Sequence, residues 1–98
     1  MNQRPTFSMT RQGFEKAITE LIEETSRSQI EIARALGYRN ANIITMFKNG
    51  STRIPGGKVV PLALALGQDP GVMLRQWLVA YMPEMFPDIE KYLMPDID

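Results

Sequence analysis

The sequence predicts an all-α fold of about five short helices packed into one domain. Three observations support this prediction. Apolar residues recur at intervals of three and four, glycine or proline separates the apolar stretches, and residues suited to helix N-caps precede several of them. The 98 residues, of which 44% are hydrophobic, are enough for one compact core and too few for a second domain.

The first helix is predicted to begin after Thr10, which can cap it. Its apolar stripe consists of Phe14, Ala17, Ile18, Leu21 and Ile22, and its other face carries Glu20, Glu23 and Glu24. Residues 1–9 lack this periodicity, which predicts a flexible N-terminal arm. Arg4 and Arg11 are available for contacts with phosphate; alternatively, the arm is an untethered tail with no such contact.

A second helix is predicted to begin at Gln29, because Ser28 and Glu31 have the spacing of a capping box. Its apolar face consists of Ile30, Ala33 and Leu36. Gly37 follows as a residue that can take the left-handed conformation with which many helices end.

The third helix is predicted to follow after a tight turn. Asn40 is a suitable N-cap, and Gly50 ends this helix as Gly37 ends the previous one. Its apolar residues are Ile43, Ile44 and Phe47. Because two helices that cross steeply touch closely at one point, the small Ala33 is predicted to lie at their contact.

The run Ser-Gln-x-Glu-x-Ala-x-x-x-Gly over residues 28–37 and the run Ile-Thr-x-Phe-x-x-Gly over residues 44–50 together resemble a known motif. They are similar to the helix-turn-helix of the Cro/repressor-type (lambda-repressor-like, XRE) family of phage and bacterial regulators. The second run matches the family motif only if the turn between the two helices holds one residue more than the turn of the family. In the alternative register, Ile43 takes the buried position without an insertion and Gly50 falls one place late.

This resemblance implies a compact lambda-repressor-like bundle over residues 10–82, with residues 83–98 as a tail outside it. It also implies sequence-specific binding of double-stranded DNA by a small transcription regulator. We expect a repressor that occupies a palindromic operator.

Two further helices are predicted after the loop formed by residues 51–57. The fourth helix covers residues 59–66, buries Leu62, Ala63 and Leu66, and ends at Gly67. Asp69 and Pro70 open a fifth helix that reaches Met82. Its predicted core stripe consists of Leu74, Trp77, Leu78 and Tyr81. In the tail, a short amphipathic helix is predicted over residues 88–93.

The contacts with DNA are predicted from a helical wheel centred on Ile44 and Phe47. The side of the third helix that points away from the domain holds the predicted base contacts, which are Asn42, Thr45, Met46 and Asn49. The predicted phosphate contacts are Gln29, Arg39, Asn40, Lys48, Arg53 and Lys58, of which Gln29 follows from the family resemblance.

Composition argues against several other classes of protein. The chain has no cysteine and no histidine, so a disulfide framework, a zinc finger, a cofactor site and enzymatic activity are not expected. No apolar run is long enough to span a membrane and the N-terminus lacks a signal-peptide region, which predicts a cytoplasmic protein. The formal net charge is zero. However, residues 1–58 hold nine Lys and Arg against five Asp and Glu, so the part with the motif is basic.

The fifth helix is more apolar than one buried face requires. The predicted dimer interface is the remaining apolar set of Val72, Met73, Val79, Ala80 and Met82. Alternatively, these residues pack under the tail, against Phe86, Ile89 and Leu93. A second hypothesis for the function is a protein-interaction module or antitoxin-like protein of the same fold, which binds a protein partner through its acidic, Met-rich C-terminal tail.

Overall fold

The computed structural model describes residues 9–93. The predicted N-terminal arm, apart from Met9, and residues 94–98 of the predicted tail lie outside this range. The described residues form the helices α1 (Arg11–Glu24), α2 (Gln29–Ala35), α3 (Asn42–Asn49), α4 (Val59–Ala65), α5 (Pro70–Tyr81) and α6 (Phe86–Tyr92), with a 3-10 turn at Gly56–Lys58 before α4. The prediction of an all-α fold is confirmed. None of these helices is long and apolar enough to cross a membrane.

Helix α1 forms as predicted. The Thr10 hydroxyl accepts a hydrogen bond from the backbone N–H of Gly13 at 3.0 Å and thereby caps the helix. Phe14, Ile18 and Ile22 are buried along one side, where they form much of the hydrophobic core. The helix ends at Glu24, because the backbone of Thr25 is extended.

Helix α2 begins with the predicted capping box. The Ser28 hydroxyl accepts from the Glu31 N–H at 3.2 Å, while the Ser28 N–H donates to the Glu31 carboxylate at 2.8 Å. The buried residues are Ile32, Ala33 and Leu36, whereas Ile30 is only half-buried. The sequence pattern missed Ile32 because α2 packs against both α3 and α4, so a wider face of this helix is covered than one stripe.

Helix α3 begins one residue later than the predicted cap implies. Ala41 occupies the N-cap, and the Asn40 carboxamide oxygen accepts the Asn42 N–H at 3.0 Å from within the preceding turn. Ile44 is fully buried and Ile43 only partly. The prediction that Ile44 takes the buried position is therefore confirmed over the alternative with Ile43.

Helix α5 has a different buried face from the predicted one. Met73 is 3% exposed and Ala80 is 8% exposed, so both belong to the core of the protomer. Their assignment to an exposed dimer interface was wrong. The helix lies against both α1 and α4, which cover the side on which Met73 and Ala80 lie. Leu74, Trp77 and Tyr81 of the predicted stripe are partly buried against the core.

Two aromatic residues of α5 tie the loop after α3 to the rest of the domain. The Trp77 indole N–H donates to the Ile54 carbonyl at 2.7 Å, and the ring stacks on Tyr81 with 5.1 Å between centroids. The Tyr81 hydroxyl donates to the Glu15 carboxylate on α1, and its ring meets that of Phe14 edge to face. Partial burial, followed by the bond to Glu15, raises the pKa of Tyr81 above its ordinary value.

Helix α6 begins two residues earlier than predicted and buries none of its residues. It folds back toward α5, where the Arg75 guanidinium lies 2.6 Å from the Glu90 carboxylate and 5.1 Å from the centre of the Phe86 ring. Phe86 and Ile89 are half-buried, but Leu93 is 75% exposed, so the alternative in which Leu93 packs beneath α5 is wrong for that residue.

Candidate nucleic-acid interface

Helix α3 presents polar side chains on the side opposite its buried residues. Asn42, Thr45 and Asn49 are exposed, while Ile44 and Phe47 anchor the other side in the core. From Asn42 to Asn49 the helix rises by about 10 Å, so these side chains form one row along α3. The fourth predicted base contact, Met46, is half-buried and has less surface to offer.

The start of α2 contacts this exposed side directly. The Gln29 amide nitrogen donates to the Thr45 hydroxyl at 3.2 Å. This bond fixes the Thr45 side chain and leaves the Gln29 carbonyl oxygen and the second amide hydrogen for another partner. Gln29 and the exposed side of α3 therefore form one continuous polar surface.

A groove of about 580 Å³ extends this surface past the end of α3, and we call it the α1–α3 groove. Its cationic residues are Arg11, Lys16 and Lys48, and its polar residues are Gln12, Glu15, Thr19 and Asn49, with Gly50 closing the end. Asn49 belongs both to the groove and to the exposed side of α3. The groove thus adds positive charge directly beside the predicted base contacts.

Among the described residues that line this groove, Glu15 is the one carboxylate, and neighbouring groups bind it. Glu15 accepts from the Arg11 guanidinium at 2.8 Å and also from the Tyr81 hydroxyl. The bond to Glu15 is the main reason why the pKa of Arg11 is raised. Lys16 is exposed beside this pair.

Lys16 was not among the phosphate contacts predicted from the sequence. Its position on the exposed face of α1 gave no signal, because a lysine there is typical of any solvated helix. Only the packing of α1 against α3 brings Lys16 to the groove next to Asn49.

The predicted phosphate contacts occupy different places in the structure. Arg39 and Asn40 are exposed in the turn between α2 and α3. The Arg53 guanidinium lies 4.9 Å from the centre of the Tyr81 ring, still on the surface. The Lys48 ammonium lies 3.6 Å from the Glu23 carboxylate, which neutralises part of its charge.

The structure does not support a phosphate contact by Lys58. Its ammonium donates to the Leu36 carbonyl at 2.8 Å and lies 5.0 Å from the centre of the Tyr38 ring. The Leu36 carbonyl, at the C-terminal end of α2, lacks a partner within that helix, and the Lys58 ammonium from a distant part of the chain satisfies it. Lys58 therefore stabilises the end of α2 and the turn after it.

Comparison of the chain with protein-family models, with curated proteins and with solved structures found no match. The helix-turn-helix interpretation therefore stays a prediction from the sequence runs over residues 28–37 and 44–50.

Proposed function

We propose that this protein is a small transcription regulator of the Cro/repressor type that binds double-stranded DNA at specific sequences, as a repressor that occupies its operator. The observation that carries the proposal is the exposed row of Asn42, Thr45 and Asn49 on a helix whose other side is held in the core. Such a helix can enter a major groove without leaving its own apolar residues in water.

The residues of the row suit contacts with bases. In a bidentate pair with adenine, the carboxamide N–H of Asn42 or Asn49 can donate to N7 while its oxygen accepts from the N6 amino group, and Thr45 can contact a thymine methyl group. The Gln29 amide donates to the Thr45 hydroxyl at 3.2 Å, which favours one orientation of the Thr45 side chain in the absence of DNA. Preorganisation of this kind reduces the entropy lost on binding.

The phosphate backbone would lie along the α1–α3 groove and beside the turn between α2 and α3. Arg11 and Lys16 line the groove at the C-terminal end of α3, and Arg39 is exposed in the turn that precedes α3. Contacts of this type supply affinity and dependence on salt but do not distinguish sequences. The proposal also implies a cytoplasmic location, where the DNA of a bacterium or its phage lies.

Selection of bound sequences from a random pool of DNA tests the proposal. We expect a preferred site to emerge. On that site, N42A should bind about tenfold more weakly than the parent, with little change on unrelated DNA, because one base contact is lost. K16A should weaken binding to all sequences and reduce the slope of affinity against salt by about one.

The matched control is K91A, which removes the same charge from an exposed lysine of α6. It should bind DNA as the parent does. If no sequence is enriched, the proposed function is wrong. If N42A leaves the ranking of sites unchanged, the assignment of base contacts on α3 is wrong.

The proposal includes a two-fold homodimer, since one recognition helix contacts too few base pairs to select a site in a genome. The C-terminal end of the described chain offers apolar surface for it. Val79 and Met82 are half-buried, and Met85, Tyr92 and Leu93 are 52%, 69% and 75% exposed. Monomers of soluble proteins rarely leave such a set in water.

Light scattering at micromolar concentration checks the dimer, and we expect the mass of two chains. V79E should lower this mass and weaken binding to a palindrome while sparing a single half-site, because the introduced charge would be buried between protomers. V60E, which places the same charge on an exposed position of α4, is the control and should remain dimeric. A parent protein that is monomeric and binds half-sites as tightly as palindromes would contradict the prediction of a dimer.

A further inference from the structure

A second groove, of about 320 Å³, runs between α1 and the start of α5, and we call it the α1–α5 groove. Ala17 and Leu21 of α1 and Val72 and Met73 of α5 form its apolar lining. Val72 is 53% exposed, so the apolar surface is open to solvent. The described residues that line this groove are different from those that line the α1–α3 groove.

The edge of the α1–α5 groove is acidic. Glu20 and Glu24 stand one helical turn apart on α1, and Asp69 stands at the N-cap of α5. One oxygen of Asp69 accepts the Val72 N–H at 3.0 Å. Gln68 and Gln76 complete the lining, and no Lys or Arg of the described chain belongs to it.

The two glutamates would gain from a bound cation. Like charges at positions i and i+4 of a helix repel each other, by roughly the few tenths of a kcal/mol that an opposite-charge pair would gain. Neither Glu20 nor Glu24 forms an ion pair within residues 9–93. A cation between the two glutamates would replace this repulsion with attraction.

We propose that the α1–α5 groove binds a cationic amphipathic helix of a partner protein. Charge complementarity determines this choice of occupant. Lys or Arg residues one turn apart on the partner would face Glu20 and Glu24, and an apolar side chain between them would lie on Leu21 and Val72. DNA and anionic lipid headgroups are repelled by the three carboxylates.

This site adds a second binding activity that does not depend on the DNA-binding proposal. Because the two grooves lie on different flanks of α1, a partner in the α1–α5 groove leaves Asn42, Thr45 and Asn49 accessible. One protomer can therefore hold DNA and a protein partner together.

The test uses the full chain and a short fluorescein-labelled peptide with Leu and Lys at helical spacing. We expect saturable binding by fluorescence anisotropy that weakens with added salt. Amide chemical shifts should change around Leu21 and Val72 and stay unchanged around Thr45. E20Q/E24Q should bind the peptide about fivefold more weakly, and V72S about threefold more weakly, because the first loses two ion pairs and the second loses apolar contact.

The control is E84Q/D88N, which changes the net charge equally at exposed positions near and within α6. It should bind the peptide as the parent does. The proposal is overturned by equal weakening in the control, by chemical shifts that map outside the groove, or by equally tight binding of a peptide with Glu in place of Lys. If E20Q/E24Q instead lowers the mass of the protein without peptide, the groove holds a second copy of the chain and the proposed partner is wrong.

Discussion

Replacement of Ala33 by leucine is expected to lower the free energy of unfolding by about 3 kcal/mol. Ala33 is 0% exposed, and α2 packs against α3 and α4. An isobutyl group in place of the methyl group has no free volume to enter, so it must push the helices apart or leave its preferred rotamer. The backbone carbonyl of Ala33 accepts from the Tyr38 N–H at 2.9 Å, so displacement of α2 would also strain the turn between α2 and α3.

The control for this substitution lies in the same helix. Ala35 is exposed, so A35L should change the free energy of unfolding by less than about 0.5 kcal/mol. Urea unfolding followed by circular dichroism measures both variants, and the midpoint should fall for A33L only. A variant A33L that unfolds like the parent would place the close helix contact elsewhere.

A second large effect is expected at Gly56, where G56A should lower the free energy of unfolding by about 2 kcal/mol. A Cβ atom at Gly56 would lie 2.9 Å from the Trp77 ring. The ring has little freedom to move away, because its N–H is bonded to the Ile54 carbonyl and its face stacks on Tyr81. Relief of the overlap therefore has to break one of these contacts or distort the 3-10 turn.

The neighbouring glycine provides the control. A Cβ atom at Gly57 would meet nothing within 4 Å, so G57A should be neutral or slightly stabilising through the unfolded state. Trp77 is the only tryptophan of the chain, so its fluorescence reports the position of the ring in both variants. If G56A and G57A have the same stability and emission, Trp77 is not held against Gly56.

Much of the fold follows from local signals in the sequence. The caps by Thr10, Ser28 and Asp69 involve atoms within three residues of one another, so the pattern of residue types is sufficient to predict them. Gly37 and Gly50 take positive φ angles of 91° and 75°, as expected for residues that end helices. These local features place α1, α2, α3 and the start of α5.

The buried face of α5 could not be predicted in this way. Its residues are apolar on nearly all sides, so periodicity does not distinguish Met73 and Ala80 from Leu74 and Leu78. The face that is buried depends on where α1 and α4 lie, which is a tertiary property. Helix α6 buries no residue, so its apolar pattern gives a weak signal for where the helix begins. Its predicted start, at residue 88, is two residues too late.

In the candidate site too, some positions follow from local sequence and others depend on the tertiary fold. The exposed side of α3 follows from helical periodicity around Ile44 and Phe47, so its exposed polar residues were predicted correctly. The cations depend on contacts between distant parts of the chain. Lys58 bonds to Leu36 and Lys16 comes to lie beside Asn49, and neither position follows from local sequence.

The contacts of Trp77 and Tyr81 also bear on how the chain opens. The Tyr81 hydroxyl bonds to Glu15, which is 66 residues away in sequence. Ile54, which lies between these two residues in sequence, is bonded to both Tyr81 and Trp77. Detachment of the loop after α3 therefore breaks two hydrogen bonds to α5 and disturbs the Tyr81 hydroxyl that joins α5 to α1. Its buried amides should exchange hydrogen with solvent only through opening of the whole domain, in one cooperative unit with both ends of the bundle. As a result, the segment that follows the C-terminal end of α3 is fixed to α5, which restricts the movement of Asn49 at the end of the α1–α3 groove.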